Sequence, residues 1–446
     1  MKTSTSKRLR WNVAIWLAAG LFMTSTAGMA SGPIMPDPKA EARHQPQIEE
    51  TANGIPLVNI TAPSSGGVSR NEYETFNVPD KGAILNNSYT LSKTELAGYV
   101  QGNNDMAERP AKIIVNEVTG AGSTSMDGFL EVAGNRADVV IANPNGITVN
   151  GGGFINTGKA FLTTGKPVYD GEDHLQRFDI TGGDILIEGK GLGGKETESL
   201  AILSRAVKIN AGIWAEDLHI TTGANTVDAK TLEASAIEGK GGRPAFALDT
   251  AAIGGMYAGR ITLVGTEKGL GVNNSGTWSA EDNLTLDWNG DLKNSGTIYS
   301  KGNTDLRASR LENDKTIAAE RNLSAAAKEN IRNQGKLLAG ENMGIYAGKT
   351  LDNAGHAMES GNNLSIETGD AINNAAGTIK SGGSQQIKAG HTLTNTEGTL
   401  AADGNINIQT DKMTGDGIVS AGKKPESCWK KTLPIQGAWK QAAAFH

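Results

Sequence analysis

The side chains that could do chemistry in this chain are few and dispersed. Six histidines, His44, His174, His219, His356, His391 and His446, stand at spacings that suit no metal site, and none is followed by an acid or a second histidine four residues on. They are expected to be mostly solvated. Gly189, Gly191 and Gly194 follow Ile185-Leu186-Ile187 with the spacing of a dinucleotide loop, but that loop works only between a strand and a helix, and no helical pattern follows. Asp184, Glu188, Glu216 and Asp217 have the right chemistry for polysaccharide cleavage. Such cleavage needs a pair of carboxyl groups facing one groove, and nothing in their spacing selects a pair. No catalytic residue, metal ligand or cofactor is assigned, and the chain is read as a non-enzyme.

The more informative residues are turn formers. Within Ala142 to Phe154, Pro144 lacks a backbone donor and forces Asn143 to be extended, while Asn145-Gly146 supplies the positive-φ chemistry of a tight turn. Ile147-Thr148-Val149 then resumes a strand. The elements around this turn must be short and pleated, because 58 glycines, 13 prolines and 5% aromatic residues point to many turns joined by brief strands. Helical periodicity is nearly absent.

From Asn283 the chain repeats. Units open at Asn283, Asn303, Asn322, Asn342, Asn363, Ser384 and Asn405, at spacings of 20, 19, 20, 21, 21 and 21 residues. Most hold two short apolar alternations separated by a turn, as in Asn294-Ser295-Gly296, Asn333-Gln334-Gly335, Asn353-Ala354-Gly355, Asn374-Ala375-Ala376-Gly377 and Asn395-Thr396-Glu397-Gly398. The second unit departs, with Asn313-Asp314-Lys315 where glycine would stand. A period of this length means a solenoid in which no unit can bury its own apolar face. The spacing of leucine-rich repeats is missing. Period-two alternation with β-branched residues favours an all-β, right-handed parallel β-helix that rises about 4.8 Å per coil. The turn asparagines either stack as amide ladders or merely tolerate the turn conformation, and the sequence leaves both open.

Upstream, Val139-Val140-Ile141, Ile185-Leu186-Ile187, Ala206-Val207-Lys208-Ile209 and Ile261-Thr262-Leu263-Val264 read as further short strands. One continuous solenoid with an elaborated N-terminal part is expected. Residues 1–30 carry Lys2, Lys7, Arg8 and Arg10, an apolar stretch from Val13 to Met23 and the small residues Ala27-Gly28-Met29-Ala30, as a secretory signal peptide does. The apolar stretch is too short to span a bilayer. Residues 31–52, rich in Pro, Gln and Glu, read as a flexible leader. Removing the four cations of the signal peptide takes the formal charge from −6 to −10, which disfavours nucleic acid as a partner. A single cysteine, Cys428, excludes an internal disulfide framework.

The run ANPNGITVNGGGF from Ala142 to Phe154 resembles the secretion-domain signature of two-partner-secreted (type Vb) exoproteins of the filamentous haemagglutinin and haemolysin type. Further segments of that resemblance come in order: Asn53 to Ile60, Gly67-Val68-Ser69, Asn71, Tyr73, Phe76-Asn77-Val78, Gly82 and Leu85-Asn86-Asn87-Ser88. Asn116-Glu117-Val118, Gly128, Leu130 to Gly134 and Ala137-Asp138 precede the turn, and Leu162 to Gly165 and Asp249 to Tyr257 follow it. Together they cover about half the chain. Many relatives carry an earlier Asn-Pro-Asn-Leu element; its nearest match here, Asn103-Asn104-Asp105-Met106, lacks the proline, which leaves that turn less constrained.

The resemblance implies a secretion domain over 53–275, haemagglutinin-type repeats over 276–422 and an atypical tail over 423–446. It also implies a route: Sec-dependent passage to the periplasm, capture by the POTRA domains of a cognate outer-membrane transporter, and threading through its barrel. With no ATP outside the inner membrane, coil formation beyond the pore would oppose backsliding as each coil buries apolar surface. Asn143 to Ile147 and Asn116-Glu117-Val118 would then be recognised by the transporter or define the fold. The implied role is a secreted or surface-displayed adhesin, with a host-cell or bacterial receptor or glycan as a further partner. Alternatives are the delivery portion of a contact-dependent growth-inhibition toxin and, behind it, a carbohydrate-active enzyme. The Lys-rich residues after Gly422 are expected to mark either a truncation or a cap.

Overall fold

The computed structural model describes residues 32–106 and 109–422, and throughout them short strands turn aliphatic side chains inward and polar ones outward. A representative coil has three strands, Leu284–Trp288, Leu292–Asn294 and Thr297–Ser300. Each pairs in parallel, residue for residue, with its equivalent in the next coil: Thr304–Ala308, Leu311–Asn313 and Thr316–Ala319. Stacking this unit gives continuous interior columns, among them Leu292, Leu311, Ile331, Leu351, Ile372 and Leu393, and Ile298, Ile317, Leu337, Met358, Ile379 and Leu400. The chain forms an all-β parallel solenoid of about 15 turns. The stacking continues upstream, where Ala83–Asn87 pairs in parallel with Phe129–Gly134 and Gly212–Thr222 with Gly255–Gly265. The four strands anticipated upstream of the repeats are all present.

The turn asparagines form a ladder. Asn274, Asn294, Asn313, Asn333, Asn353, Asn374 and Asn395 are buried, and each Nδ2 donates to the Oδ1 of the next at 2.8 Å. A second, more exposed row runs through Asn303, Asn322, Asn342 and Asn363 on the opposite side of the strand that follows. At 0–1% exposure a turn amide must find partners within the protein, and the adjacent coil supplies one. Lys315 stands where glycine would, and the ladder still runs unbroken through Asn313; in the neighbouring coils an added Cβ at Gly296 or Gly335 would collide with the carbonyl of the coil before it.

Residues 31–52, expected as a flexible leader, contain ordered structure instead. Ile34–Pro36 pairs antiparallel with Val68–Phe76, and Gln47–Glu50 pairs antiparallel with Pro56–Asn59. The physical reason is the open end of the solenoid, which exposes an unpaired strand edge and the apolar interior; these antiparallel strands cover it. Ile34 and His44 are buried there. Two excursions also leave the coil. An antiparallel sheet of Lys166–Tyr169, Leu175–Ile180, Asn225–Asp228 and Ala234–Ala236 covers the outer face of the coils over Val115, Val140, Phe161 and Leu203. The hairpin Ser92–Thr94/Gly98–Val100 covers Ile55, Leu57 and Ile84. The expected signal peptide and the tail with Cys428 lie outside the described residues.

Removing one rung of the ladder should be costly. Asn333→Ala leaves Asn353 Oδ1 unpaired and takes one of the two acceptors of Asn313 Nδ2, which keeps the Lys336 carbonyl at 3.2 Å, and is expected to lower stability by about 1–3 kcal/mol in urea unfolding.

Candidate functional site

Asn143, Gly146 and Ile147 are buried, while Pro144 and Asn145 face solvent. The Asn143 side chain makes the turn: Oδ1 accepts from the Asn145 amide at 2.9 Å, and Nδ2 donates to the Gly122 carbonyl at 2.9 Å and to Thr124 Oγ1 at 3.0 Å. Asn145 Nδ2 reaches the Gly120 carbonyl at 2.8 Å. Gly146, at φ +110°, donates to the Asn143 carbonyl and accepts from the Thr124 amide. The turn therefore clasps residues 120–124 of the coil before it.

Asn103 does the same without proline. Its Oδ1 accepts from the Asp105 amide at 3.0 Å, and its Nδ2 donates to the carbonyls of Ile60 at 2.8 Å and Asn86 at 3.1 Å. Asn104–Met106 is a single 3₁₀ turn with Met106 buried in the main core. The missing proline is thus replaced by a side-chain brace and an apolar anchor, and this turn is better fixed than its sequence suggested.

Asn116, Glu117 and Val118 lie on Ile113–Val118, which stacks on Val68–Phe76 so that Asn71 meets Asn116 and Glu72 meets Glu117. Tyr73 Oη donates to Asn116 Oδ1 at 2.9 Å, and Asn116 Nδ2 donates to the Val140 carbonyl at 3.1 Å. The two stacked carboxylates share one guanidinium: Arg70 lies 2.9 Å from Glu72 and 3.4 Å from Glu117, and its plane sits 4.4 Å from the Tyr169 ring centre. His44, from the cap, approaches Glu72 at 3.1 Å, and Arg43 beside it pairs with Asp173 at 2.7 Å. Three segments meet here: the cap, two successive coils and the outer antiparallel sheet.

Burial pushes the Glu117 carboxyl above its ordinary value, with Glu72 adding repulsion and Arg70 opposing both. Burial pushes His44 down, helped by Arg70. Contrary to the expectation of mostly solvated histidines, His44 is buried and His219 only partly exposed, and desolvation lowers His219 to about 4. Among the candidate acids, Asp184 and Glu216 are exposed and Asp217 pairs with Arg260 at 3.3 Å. Gly189 and Gly191 form a positive-φ turn between two strands, where side chains would collide with Asn150 and with the Gly212 carbonyl. Coil-to-coil proximity accounts for these glycines. Among the described residues no group of His, Cys, Asp or Glu is arranged to hold a metal ion.

The TPS secretion domain model matches residues 33–300, and the haemagglutinin repeat model matches 299–355 and 344–423. The chain belongs to the TPS secretion domain family: it is a two-partner-secreted, β-helical exoprotein, of the secreted or cell-surface kind. Its solved-structure likeness includes the filamentous haemagglutinin secretion domain, with TM-score 0.53 and 28% identity over 70% of this chain and 97% of that one. Among curated proteins it is 42% identical to "Toxin CdiA" of Yersinia pestis over 62% of this chain and 9% of the relative. It is 38% identical to "16S rRNA endonuclease CdiA" of Enterobacter cloacae over 72% of this chain and 10% of the relative. The chain matches only about a tenth of those relatives' length.

Two measurements check this site. Asn143→Ala removes the bonds to Gly122, Thr124 and Asn145, and is expected to lower stability by about 2–3 kcal/mol in urea unfolding. Because the folded Glu117 value is raised, its contribution to stability is complete at low pH and is lost as the pH climbs through that value. His44 runs the other way, its contribution being lost as the pH falls. Glu117→Gln should therefore gain stability relative to the native protein as the pH rises from about 4 to about 7, read as the difference in urea midpoints.

Proposed function

We propose that this chain is an exoprotein of haemagglutinin or adhesin type, delivered by Sec to the periplasm and exported by its cognate transporter, whose POTRA domains and barrel receive the secretion domain. Family membership implies the transporter. The observation that carries the coupling of export to folding is the register. Every coil from Leu284 onward is hydrogen-bonded to the coil before it, so the chain can be completed in the order in which it emerges. Each added coil buries aliphatic side chains and makes return through the pore less favourable.

In this reading Asn143, Asn145, Gly146 and Ile147, with Asn116, Glu117 and Val118 and the Asn103 to Met106 turn, define the fold that the coils grow on. What supports it is the inward aim of their side chains: of the Asn143 to Ile147 turn, only Pro144 and Asn145 are exposed. A second reading draws on the identity to the CdiA toxins over their matched tenth. There the chain is the delivery portion of a contact-dependent growth-inhibition toxin, whose effector belongs to sequence outside the match. An effector with a neighbouring immunity gene would favour that reading.

Export is tested by expressing the chain with and without its transporter and assaying the medium. The protein is expected outside only with the transporter. Asn143→Ala should lower export and stability together, whereas Pro144→Ala should leave both close to native. Loss of export in Pro144→Ala with unchanged stability would assign the turn to direct transporter contact.

A further inference from the structure

One column on the outer face of the solenoid is paved with aromatic rings laid over glycines. Phe129, Gly153, Gly193, Trp214 and Tyr257 are successive partners along the parallel ladder. The Phe129 ring lies where a side chain on Gly153 would stand. Trp214 leans back over Gly212 and Gly191, where added Cβ atoms would come within 2.5 Å and 2.9 Å of its ring, and Tyr257 leans over Gly255, its hydroxyl 2.8 Å from where a Cβ would be. The Trp214 and Tyr257 rings are 6.2 Å apart with planes 17° from parallel. Phe129 is 44% exposed, and Trp214 and Tyr257 are partly so. The pavement spans four rungs, about 19 Å at one strand spacing each.

Rings held flat on a sheet keep one π-face toward solvent, and its negative quadrupole attracts the polarised C–H face of a sugar ring. The surrounding charge narrows the ligand. Glu216, two residues along the strand from Trp214, is an exposed carboxylate, while Asp217 is neutralised by Arg260 and Glu281 by Lys301. The Glu216 carboxylate offers hydrogen-bond acceptors to hydroxyl groups, and Arg260 and Lys301, each already paired with an acid, are not free to hold a polyanion. We propose that the Phe129–Trp214–Tyr257 pavement binds an uncharged oligosaccharide along the solenoid axis. The inference rests on display of the chain outside the cell and gives that display a ligand class.

The test uses the secreted full chain in calorimetric titrations with cellohexaose, hexa-N-acetylchitohexaose and heparin. Saturable binding of at least one uncharged hexamer is expected, with heparin inert. Trp214→Ala should weaken it at least tenfold. Gly193→Lys blocks the pavement without removing a ring, since a Cβ there meets nothing nearer than 3.8 Å, and should weaken binding similarly with an unchanged circular dichroism spectrum. No saturable binding of either hexamer, response to heparin alone, or native affinity in both variants would overturn the proposal. Export is assayed in parallel: variants that leave the cell normally but do not bind isolate a failure of this site from a failure of the secretion reading.

Discussion

Each coil of this chain must give its backbone hydrogen bonds to the coils on either side, and nearly every other feature answers to that requirement. A parallel ladder fixes the distance between equivalent residues, so side chains stack on their own kind. Inside, this produces the aliphatic columns. Outside, it brings ionisable groups one coil apart to within contact. The chain alternates their sign: Asp291 with Arg310, Glu329 with Lys349, Glu341 with Arg321 and Glu367 with Lys388. Such exposed pairs add little stability each. Their value lies in register, since like charges in the same places would repel.

The asparagine ladder solves a related problem at the corner of the coil. A tight turn there leaves backbone and side-chain amides without water, and stacking identical side chains satisfies each through its neighbour. The ladder survives a change of coil length. Between Asn294 and Asn333 the turn takes three residues before the next strand; from Asn353 it takes four, and the spacing moves from 20 to 21. The added residue falls in the left-handed region, as Gly355, Ala376 and Glu397, at φ +74°, +54° and +54°. The insertion is thereby absorbed in one strained backbone position while Asn353, Asn374 and Asn395 keep their place.

How much of this the sequence discloses depends on whether the information is local. The repeats are legible because one period of about 20 residues carries both the apolar alternation and the turn. The parallel pairing follows, because a unit with one apolar face must stack. The cap is not legible, since Ile34 lies among prolines and Ile48 among polar residues, and their role is set by an edge that exists only once the coils do. The outer antiparallel sheet is equally hidden: its strands alternate like those of the solenoid, and only packing against Val140 and Phe161 sets them apart. At the candidate site, the turn at Asn143 could be read from Pro144 and Gly146. The bracing of the Asn103 turn is not legible, because it is a side chain bonding to Ile60 and Asn86, 43 and 17 residues away in sequence. Nothing local could reveal that Glu72 and Glu117, 45 residues apart, would be stacked on one arginine.

That stacking separates the two halves of the molecule in kind. A repeat coil needs only its predecessor, so its contacts close over about 20 residues and carry a small loop-closure cost. The ionic cluster needs Arg43 and His44, Arg70 and Glu72, Glu117, and Tyr169 and Asp173, and closes only when about 130 residues of chain are present. Glu117 is buried beside Glu72 on one guanidinium, and its burial and the neighbouring carboxylate both oppose its charge while Arg70 favours it. The secretion domain is thus built to form as a unit with long-range closure, and the repeats to add to it one at a time. Under the proposed export coupled to folding, both properties are of use: a first part that does not close on a short emerged segment, and a second part that adds coil by coil as it appears.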